Sequence, residues 1–188
     1  YGGDKGIFGF GITASVTGVT NLVSNAGVVG TDVTAVGTAR QSLAACSYGE
    51  DKGIFGFGND GSVCDITNLV SNAGVVASDV TGVGTARNGS AGGATNLVSN
   101  VGVVASDVTL VGTDREWAGG CSYGYDKGIF AFGTTGSLTA VSNLVSNAGV
   151  VATDVTGVGT ARAYGPAACE YGGDKGIFGY GYTTGNVS

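Results

Sequence analysis

The stretch YGEDKGIFGF at residues 48–57 decides the predicted fold, because close copies of it stand at four places in the chain. The other copies are YGGDKGIFGF at 1–10, YGYDKGIFAF at 123–132 and YGGDKGIFGY at 171–180. In each copy a polar turn separates a segment that ends in tyrosine from an aromatic segment interrupted by glycine. In the second copy this turn is predicted at 50–53. Short apolar segments on either side of such a turn are typical of a β-hairpin.

Two further motifs repeat together with this phrase. NLVSN begins at residues 21, 68, 96 and 143, with spacings of 47, 28 and 47 residues, and GTAR or GTDR follows each copy. The repeat is therefore about 47 residues long, and the third copy is 19 residues shorter because it lacks the hairpin phrase. We expect a single repeat domain over 1–188, with units at approximately 1–47, 48–87, 88–122 (shortened) and 123–170, and a C-terminal half-unit at 171–188.

Each full unit contains enough strand and turn signals for four short strands. In the second unit these are predicted at 42–48, 53–58, 63–72 and 75–83, separated by turns rich in glycine and asparagine. Four antiparallel strands in 47 residues are typical of a blade of a β-propeller, and the chain contains four blade equivalents. The alternative is a β-solenoid, which tolerates a shortened coil because each coil contacts only its neighbours. Hairpin turns at every reversal favour antiparallel blades.

The composition fits an all-β fold and excludes several classes of protein. Glycine occurs 38 times and only 12% of the residues are charged, with a formal net charge of −6 that disfavours nucleic-acid binding. No apolar run is long enough to span a bilayer. Methionine is absent and the chain starts inside a repeat, so we expect a processed chain or a fragment of a longer one.

The order of features in the repeat resembles that of kelch-like β-propeller proteins. An arginine precedes the first strand at Arg40, Arg87 and Arg162, a strand of small residues ends in Tyr-Gly, and an aromatic second strand closes on glycine. The near-identical tandem repeats also resemble those of bacteriophage structural proteins. These resemblances imply a small propeller with kelch-like blades, located in a virion or outside the cell.

The residues that usually carry catalysis and metal binding are scarce in this chain. It contains no histidine, which removes the commonest general base and the imidazole metal sites. Because the aspartates recur in every unit, we expect them to cap local turns rather than to act in catalysis, and the lysine of each DKG triplet to pair with its neighbouring aspartate. We predict no catalytic, cofactor-binding or metal-binding residue. The lysines are Lys5, Lys52, Lys127 and Lys175, and the repeated aspartates outside the hairpin are Asp32, Asp79, Asp107 and Asp154.

Four cysteines allow a disulfide framework, but their positions favour another role. Cys46, Cys121 and Cys169 occupy one position of the repeat, and such positions on different blades lie too far apart for a bridge. Cys46 and Cys64, in one blade, would be separated by the second strand. We therefore expect all four, Cys64 on a third strand included, to be unpaired small residues that fill the core, with disulfides as the alternative.

Aromatic residues outside the repeated phrase are the candidates for a binding site. Trp117, Tyr125, Tyr164 and Tyr182 could stack on sugar rings, although ordinary packing is the alternative. We predict a non-enzymatic structural or attachment module, such as a phage tail or fibre component, with a lectin-like, carbohydrate-binding propeller as the alternative. The expected partners are other protein subunits or a cell-surface glycan, and the half-unit from Tyr171 to Ser188 could form a homo-oligomer by strand exchange.

Overall fold

A computed structural model describes residues 1–89, 94–109 and 111–184, and the regular secondary structure of these ranges is all β. Within them, no helix is long and apolar enough to cross a membrane. The described residues divide into two compact units, the first holding 1–89 and 94–108 and the second holding 109 and 111–184. The strands are β1 (Gly6–Ile12), β2 (Val16–Val23), β3 (Ala44–Tyr48), β4 (Lys52–Gly56) and β5 (Thr67–Val70) in the first unit, and β6 (Gly119–Tyr123), β7 (Lys127–Ala131), β8 (Ser142–Val145), β9 (Ala167–Tyr171) and β10 (Lys175–Gly179) in the second.

The first unit contains two antiparallel sheets that follow the order of the chain. Strands β1 and β2 form one sheet, with a register shift between Gly9 and Gly11, and β3, β4 and β5 form the other. A Cβ atom at Gly9 would lie 2.8 Å from Cγ2 of Thr20 and 3.1 Å from the ring of Phe55. Glycine at this position therefore allows consecutive repeats to approach closely.

The second unit repeats this arrangement with a three-stranded sheet, β6-β7-β8, and a two-stranded sheet, β9-β10. Strand β10 belongs to the half-unit from Tyr171 to Ser188, and it pairs with β9 over five residues inside the same unit. Residues 185–188 of the half-unit lie outside the described residues. Strand exchange between chains therefore stays a prediction.

The hairpin turn lies slightly earlier in the chain than predicted. Tyr48 pairs with Lys52, so the loop consists of Gly49, Glu50 and Asp51, and Lys52 already belongs to β4. Gly49 and Glu50 have φ values of +56° and +71°. A glycine at the first of two left-handed positions explains why the chain reverses at this point, before the DKG triplet ends.

The predicted third and fourth strands are shorter than the sequence pattern indicated. The third strand covers only Thr67–Val70, and the segment predicted as a fourth strand contacts it through two isolated bridges, Val70 with Val76 and Thr67 with Val80. Between these bridges the side-chain amide of Asn68 donates a hydrogen bond to the carbonyl of Ala77 at 3.0 Å. Backbone hydrogen bonds join Thr67 with Val80 and Ala77 with Leu69, but they do not form a continuous ladder, and the described sheets contain two or three strands.

Small apolar clusters between consecutive repeats hold each unit together. In the first unit, Phe55 is buried with Val70 and Val76, and its ring packs edge-to-face on Phe10 of the preceding repeat, with centroids 5.3 Å apart. In the second unit, Phe132 and Phe178 make the same contact at 5.6 Å. The aromatic second strand of one repeat is therefore covered by the next repeat.

Candidate functional site

Three of the four predicted ligand-contact aromatics lie together in the second unit. The ring centroids of Trp117 and Tyr164 are 6.0 Å apart, and those of Tyr164 and Tyr182 are 5.5 Å apart in an edge-to-face arrangement. Trp117 and Tyr164 each stand two residues after a repeat arginine, and both have φ of +58°. Ser42 occupies the same position in the first unit with φ of +53°. The backbone of this position is therefore constant while its side chain varies.

An open cavity of about 570 Å³ borders this aromatic cluster. Tyr164 and Tyr182, which are 58% and 48% exposed, form part of its wall. Hydroxyl groups supply much of the remaining wall, from Thr134, Ser137 and Thr160. Aromatic faces beside hydroxyl groups can contact the apolar face of a sugar ring while hydrogen bonding to its edge.

Tyr125 is separate from the cluster. It lies in the turn between β6 and β7, where its φ is +67° and its side chain is exposed. Among the described residues no aromatic contact joins Tyr125 to Trp117, Tyr164 or Tyr182. The structure thus brings together three of the four predicted aromatics.

The four cysteines are free thiols, and none belongs to the buried core of the described residues. Cys46 and Cys169 are exposed on β3 and β9, while Cys64 and Cys121 are half-buried. The structure therefore does not place the four cysteines in the core, where we expected them. The reason is the order of the strands, because β3 and β9 lie at the edges of their sheets. Burial raises the pKa of the Cys64 thiol and that of Cys121, which keeps both thiols protonated near neutral pH.

A polar contact that we call the latch recurs between consecutive repeats. Its donor segment is the GTAR or GTDR motif of one repeat, and its acceptor pair is the asparagine and aspartate of the next. In the first latch, the backbone N–H of Thr38 donates to Oδ2 of Asp79 at 3.0 Å, and the Thr38 hydroxyl donates to the same oxygen at 2.7 Å. The amide of Asn68 donates to Oδ1 of Asp79 at 2.9 Å and so orients the carboxylate.

The glycine of the donor segment is required by the geometry of the latch. Gly37 has φ of +87°, and a Cβ atom at this position would lie 2.3 Å from Oδ1 of Asp79 and 2.7 Å from Nδ2 of Asn68. A side chain would therefore displace the acceptor pair as well as strain the backbone.

The same latch occurs twice more. Thr85 donates its hydroxyl to Asp107 at 2.6 Å in the first unit, and Thr113 donates its hydroxyl to Asp154 at 2.5 Å in the second. Asn96 orients Asp107 as Asn68 orients Asp79. The shortened third repeat has lost its hairpin but keeps both halves of the latch. The latch therefore forms without the hairpin.

The arginine of the donor segment extends the latch into the interior of the unit. Arg40 is fully buried, with its guanidinium 4.3 Å from the ring centroid of Phe10. It donates to the carbonyl of Phe57 at 2.8 Å and to Oδ1 of Asn68 at 2.7 Å. Burial lowers the pKa of Arg40. Two other arginines stack in the same way, at 3.6 Å and 3.7 Å (Arg87 on Phe57, Arg162 on Phe132).

The latch changes the role assigned to three of the repeated aspartates. Asp79, Asp107 and Asp154 were expected to cap local turns, but they accept hydrogen bonds from the threonine of the preceding repeat, so that expectation is wrong for them. The hydrogen bonds from Thr113 lower the pKa of Asp154 by favouring its charged form. The pKa of Asp107 is lowered in the same way by Thr85.

The predicted pairing within each DKG triplet is confirmed. The ammonium groups of Lys5 and Lys52 lie 2.7 Å from the carboxylates of Asp4 and Asp51, and Lys127 and Lys175 pair with their own neighbouring aspartates. These pairs are exposed, so they add little to stability.

One regularity of the sequence could have revealed the latch. Asparagine and aspartate stand eleven residues apart in each repeat, at Asn21 and Asp32 and at three later positions, and each pair is followed by GTAR or GTDR. The asparagine, the aspartate and the GTAR or GTDR motif keep their spacing in the third repeat, although that repeat has lost its hairpin. This constant spacing indicates that the three take part in one contact.

Among the described residues, no three cysteine, aspartate or glutamate side chains form a group that could hold a metal ion. A scan against protein-family models finds no matching family, and a search of curated proteins finds no match.

A search of solved structures finds a similarity to a protein titled "Novel fungal alcohol oxidase with catalytic diversity among the AA5 family, in complex with copper". The TM-score is 0.56 and the sequence identity is 15%. The match covers 82% of this chain and 43% of the oxidase chain. At this identity the similarity concerns the fold alone, and this chain spans less than half of the oxidase.

Proposed function

We propose that the chain is a non-enzymatic structural or attachment module, built from four blade equivalents of a kelch-like antiparallel propeller. The context we infer is a virion appendage such as a phage tail or fibre, or a similar extracellular scaffold. The latch is the observation that carries this proposal, because one set of polar contacts joins successive repeats at three junctions.

The physical character of the latch supports a scaffolding role. In the first two latches glycine, threonine, arginine, asparagine and aspartate all take part, so the contact depends on the geometry of five residues and fixes the register between repeats more strictly than apolar packing alone. Recurrence at each junction suits an array that keeps its shape. The absence of histidine from all 188 residues fits a role without general-base catalysis.

Negative-stain electron microscopy of the 188-residue chain tests the architecture. A closed ring with four lobes would support the propeller. A straight rod would favour the β-solenoid and would refute the ring.

A lectin-like function is the second candidate, and the aromatic cluster with its hydroxyl-lined cavity favours it. The test is a glycan array probed with the wild-type chain and with the double variant Trp117→Ser and Tyr164→Ser, which installs the residue found at the equivalent position 42. Loss of a wild-type signal in this variant would support sugar binding by the cluster. The matched control is Tyr125→Gly, which removes an exposed tyrosine elsewhere and should leave the signal unchanged. No wild-type signal for any glycan would remove this candidate.

A further inference from the structure

The aromatic cluster of the second unit has no counterpart in the first. Tyr182 is joined by an isolated antiparallel bridge to the residue before Tyr164, and Asn59 is joined in the same way to the residue before Ser42. Ser42 and Asn59 therefore occupy in the first unit the positions that Tyr164 and Tyr182 occupy in the second. Within the described residues, the pair of tyrosines stands at one junction between repeats rather than at each of them.

The fold does not require aromatic side chains at these positions. Trp117 and Tyr164 both have φ of +58°, in the left-handed region that bulky residues rarely adopt. Ser42 holds the same backbone conformation with a small polar side chain. Residues that keep an unfavourable conformation cluster at binding sites, so the two aromatic side chains call for an explanation outside the turn itself.

The charges near the cavity disfavour an anionic ligand. Among the described residues, every side chain that lines the cavity is uncharged. Arg162 follows the wall in the chain, but its guanidinium stacks at 3.7 Å on the ring of the buried Phe132. Glu116 exchanges two backbone hydrogen bonds with Thr134 of the wall, which brings a carboxylate close to the site. With a net charge of −6 for the whole chain, an acidic ligand would be repelled and would find no cation in the wall.

The polar groups of the wall are hydroxyls. Oγ1 of Thr134 accepts a hydrogen bond from the backbone N–H of Gly136 at 3.1 Å, so its own O–H can donate to a ligand. Ser137 and Thr160 are exposed and add two further hydroxyls. A wall of this kind can exchange hydrogen bonds with the hydroxyls of a ligand. A carboxylate or sulfate would lose its hydration here without gaining a charged partner.

We propose that the aromatic cluster binds an uncharged oligosaccharide at one site per chain and rejects acidic glycans. Tyr164 and Tyr182 contact the C–H face of one sugar ring, and the hydroxyls of Thr134 and Ser137 bind its edge. Trp117 extends the apolar surface towards a second sugar residue, since its ring centroid lies 6.0 Å from that of Tyr164. This inference rests on the lectin-like candidate above, to which it adds the class of sugar and the number of sites.

Isothermal titration calorimetry with matched pairs of sugars tests the class and the stoichiometry. The probes are hexasaccharides of glucose, mannose, galactose and N-acetylglucosamine, each in its neutral and its sulfated form. At least one neutral hexasaccharide should bind with one site per chain, and its sulfated form should bind about tenfold more weakly or worse. The affinity for the neutral sugar should change less than about twofold between low and high salt, because no charged group takes part.

The fluorescence of Trp117, which is the only tryptophan in the chain, locates the bound sugar. Tyr164→Ser and Tyr182→Asn install the residues of the first unit and keep this reporter. Each variant should weaken binding about tenfold, because it removes one aromatic face from the contact. Tyr125→Gly is the matched control and should bind like the wild type, and circular dichroism verifies that each variant is folded.

The possible failures separate this inference from the function on which it rests. No heat of binding with any of the eight sugars would overturn both the inference and the lectin-like candidate. Binding that favours the sulfated forms, that saturates at more than one site per chain, or that neither Tyr164→Ser nor Tyr182→Asn weakens would overturn the inference alone. A bound sugar that leaves the fluorescence of Trp117 unchanged would do the same, since it would lie elsewhere on the chain.

Discussion

Replacing Asn68 by alanine should destabilise the first unit far more than the same change at Asn21. Asn68 is fully buried and takes part in three hydrogen bonds, accepting one from the Arg40 guanidinium and donating to Ala77 and Asp79. The bond from the charged group accounts for about 1.5–3 kcal/mol, and each of the others for about 1 kcal/mol. Because Arg40 is also buried, losing Asn68 leaves its charge without this acceptor. We expect a total loss of about 3–5 kcal/mol.

Asn21 is a matched control because it makes the same two donations, to Gly30 and Asp32, from a half-buried position. In the described residues no arginine donates to it, and water can replace its two donations because Asn21 is only half-buried, so Asn21→Ala should cost about 1 kcal/mol or less. The two variants remove the same side chain from equivalent strands and differ mainly in the arginine contact.

Hydrogen exchange followed by mass spectrometry is the appropriate assay, because a chain with two compact units need not unfold in a single step. Peptides that cover β4 and β5 should lose protection by about a hundredfold or more in Asn68→Ala, and by about tenfold or less in Asn21→Ala. Equal loss of protection in the two variants would refute the reasoning, since it would mean that the buried arginine contributes nothing through this contact.

Three further predictions concern the second unit and the thiols. Gly112→Ala should lower the stability of the second unit by about 2 kcal/mol more than Gly136→Ala does. Both positions have positive φ, but only a Cβ atom at Gly112 would collide with the acceptor pair of the latch. Denaturation followed by tryptophan fluorescence measures the difference, and equal midpoints for the two variants would contradict it. Because threonine hydrogen bonds lower the pKa of Asp154, its contribution is complete above the ordinary pKa, near pH 4, and is lost as the pH falls through the lowered value. Asp154→Asn should therefore be less stable at neutral pH and flatten the acid side of the stability curve, and an unchanged curve would argue against the latch. In the native chain, the exposed Cys169 should react with a disulfide reagent such as Ellman's before the half-buried Cys64 and Cys121, whose pKa values are raised by burial, and peptide mapping of the labelled cysteines would detect the opposite order.

The sequence is sufficient to predict the features that depend on neighbouring residues. The hairpin phrase predicts β3 followed by β4 and the pairing of Lys52 with Asp51, because both follow from local turn chemistry. The predicted position of the turn is wrong because Gly49 and Glu50, rather than the DKG residues, adopt the left-handed conformation. That choice depends on the register of the two strands, which the local pattern does not specify.

The latch could not be derived from local rules, because its partners are far apart in the chain. Thr38 and Asp79 are separated by 41 residues, and only the folded repeats bring them together. The segment predicted as a fourth strand pairs only through isolated bridges, and alternation of apolar residues at 75–83 does not reveal that its pairing with Thr67–Val70 is discontinuous. Trp117, Tyr164 and Tyr182 stand out in the sequence as exceptions to the repeat, but their proximity depends on how consecutive repeats stack.

The shortened third repeat shows that the array is made of two parts that vary independently. Its acceptor pair and donor segment are complete, although 19 residues carrying the hairpin are missing. Loss or gain of a hairpin therefore leaves the latch between repeats intact, while it removes or adds the aromatic packing that the hairpin contributes. The same property makes the turn at Asp60 and Gly61, which the shortened repeat also lacks, a natural place to insert a foreign loop, since a Cβ atom at Gly61 would meet nothing within 4 Å and the latch lies elsewhere.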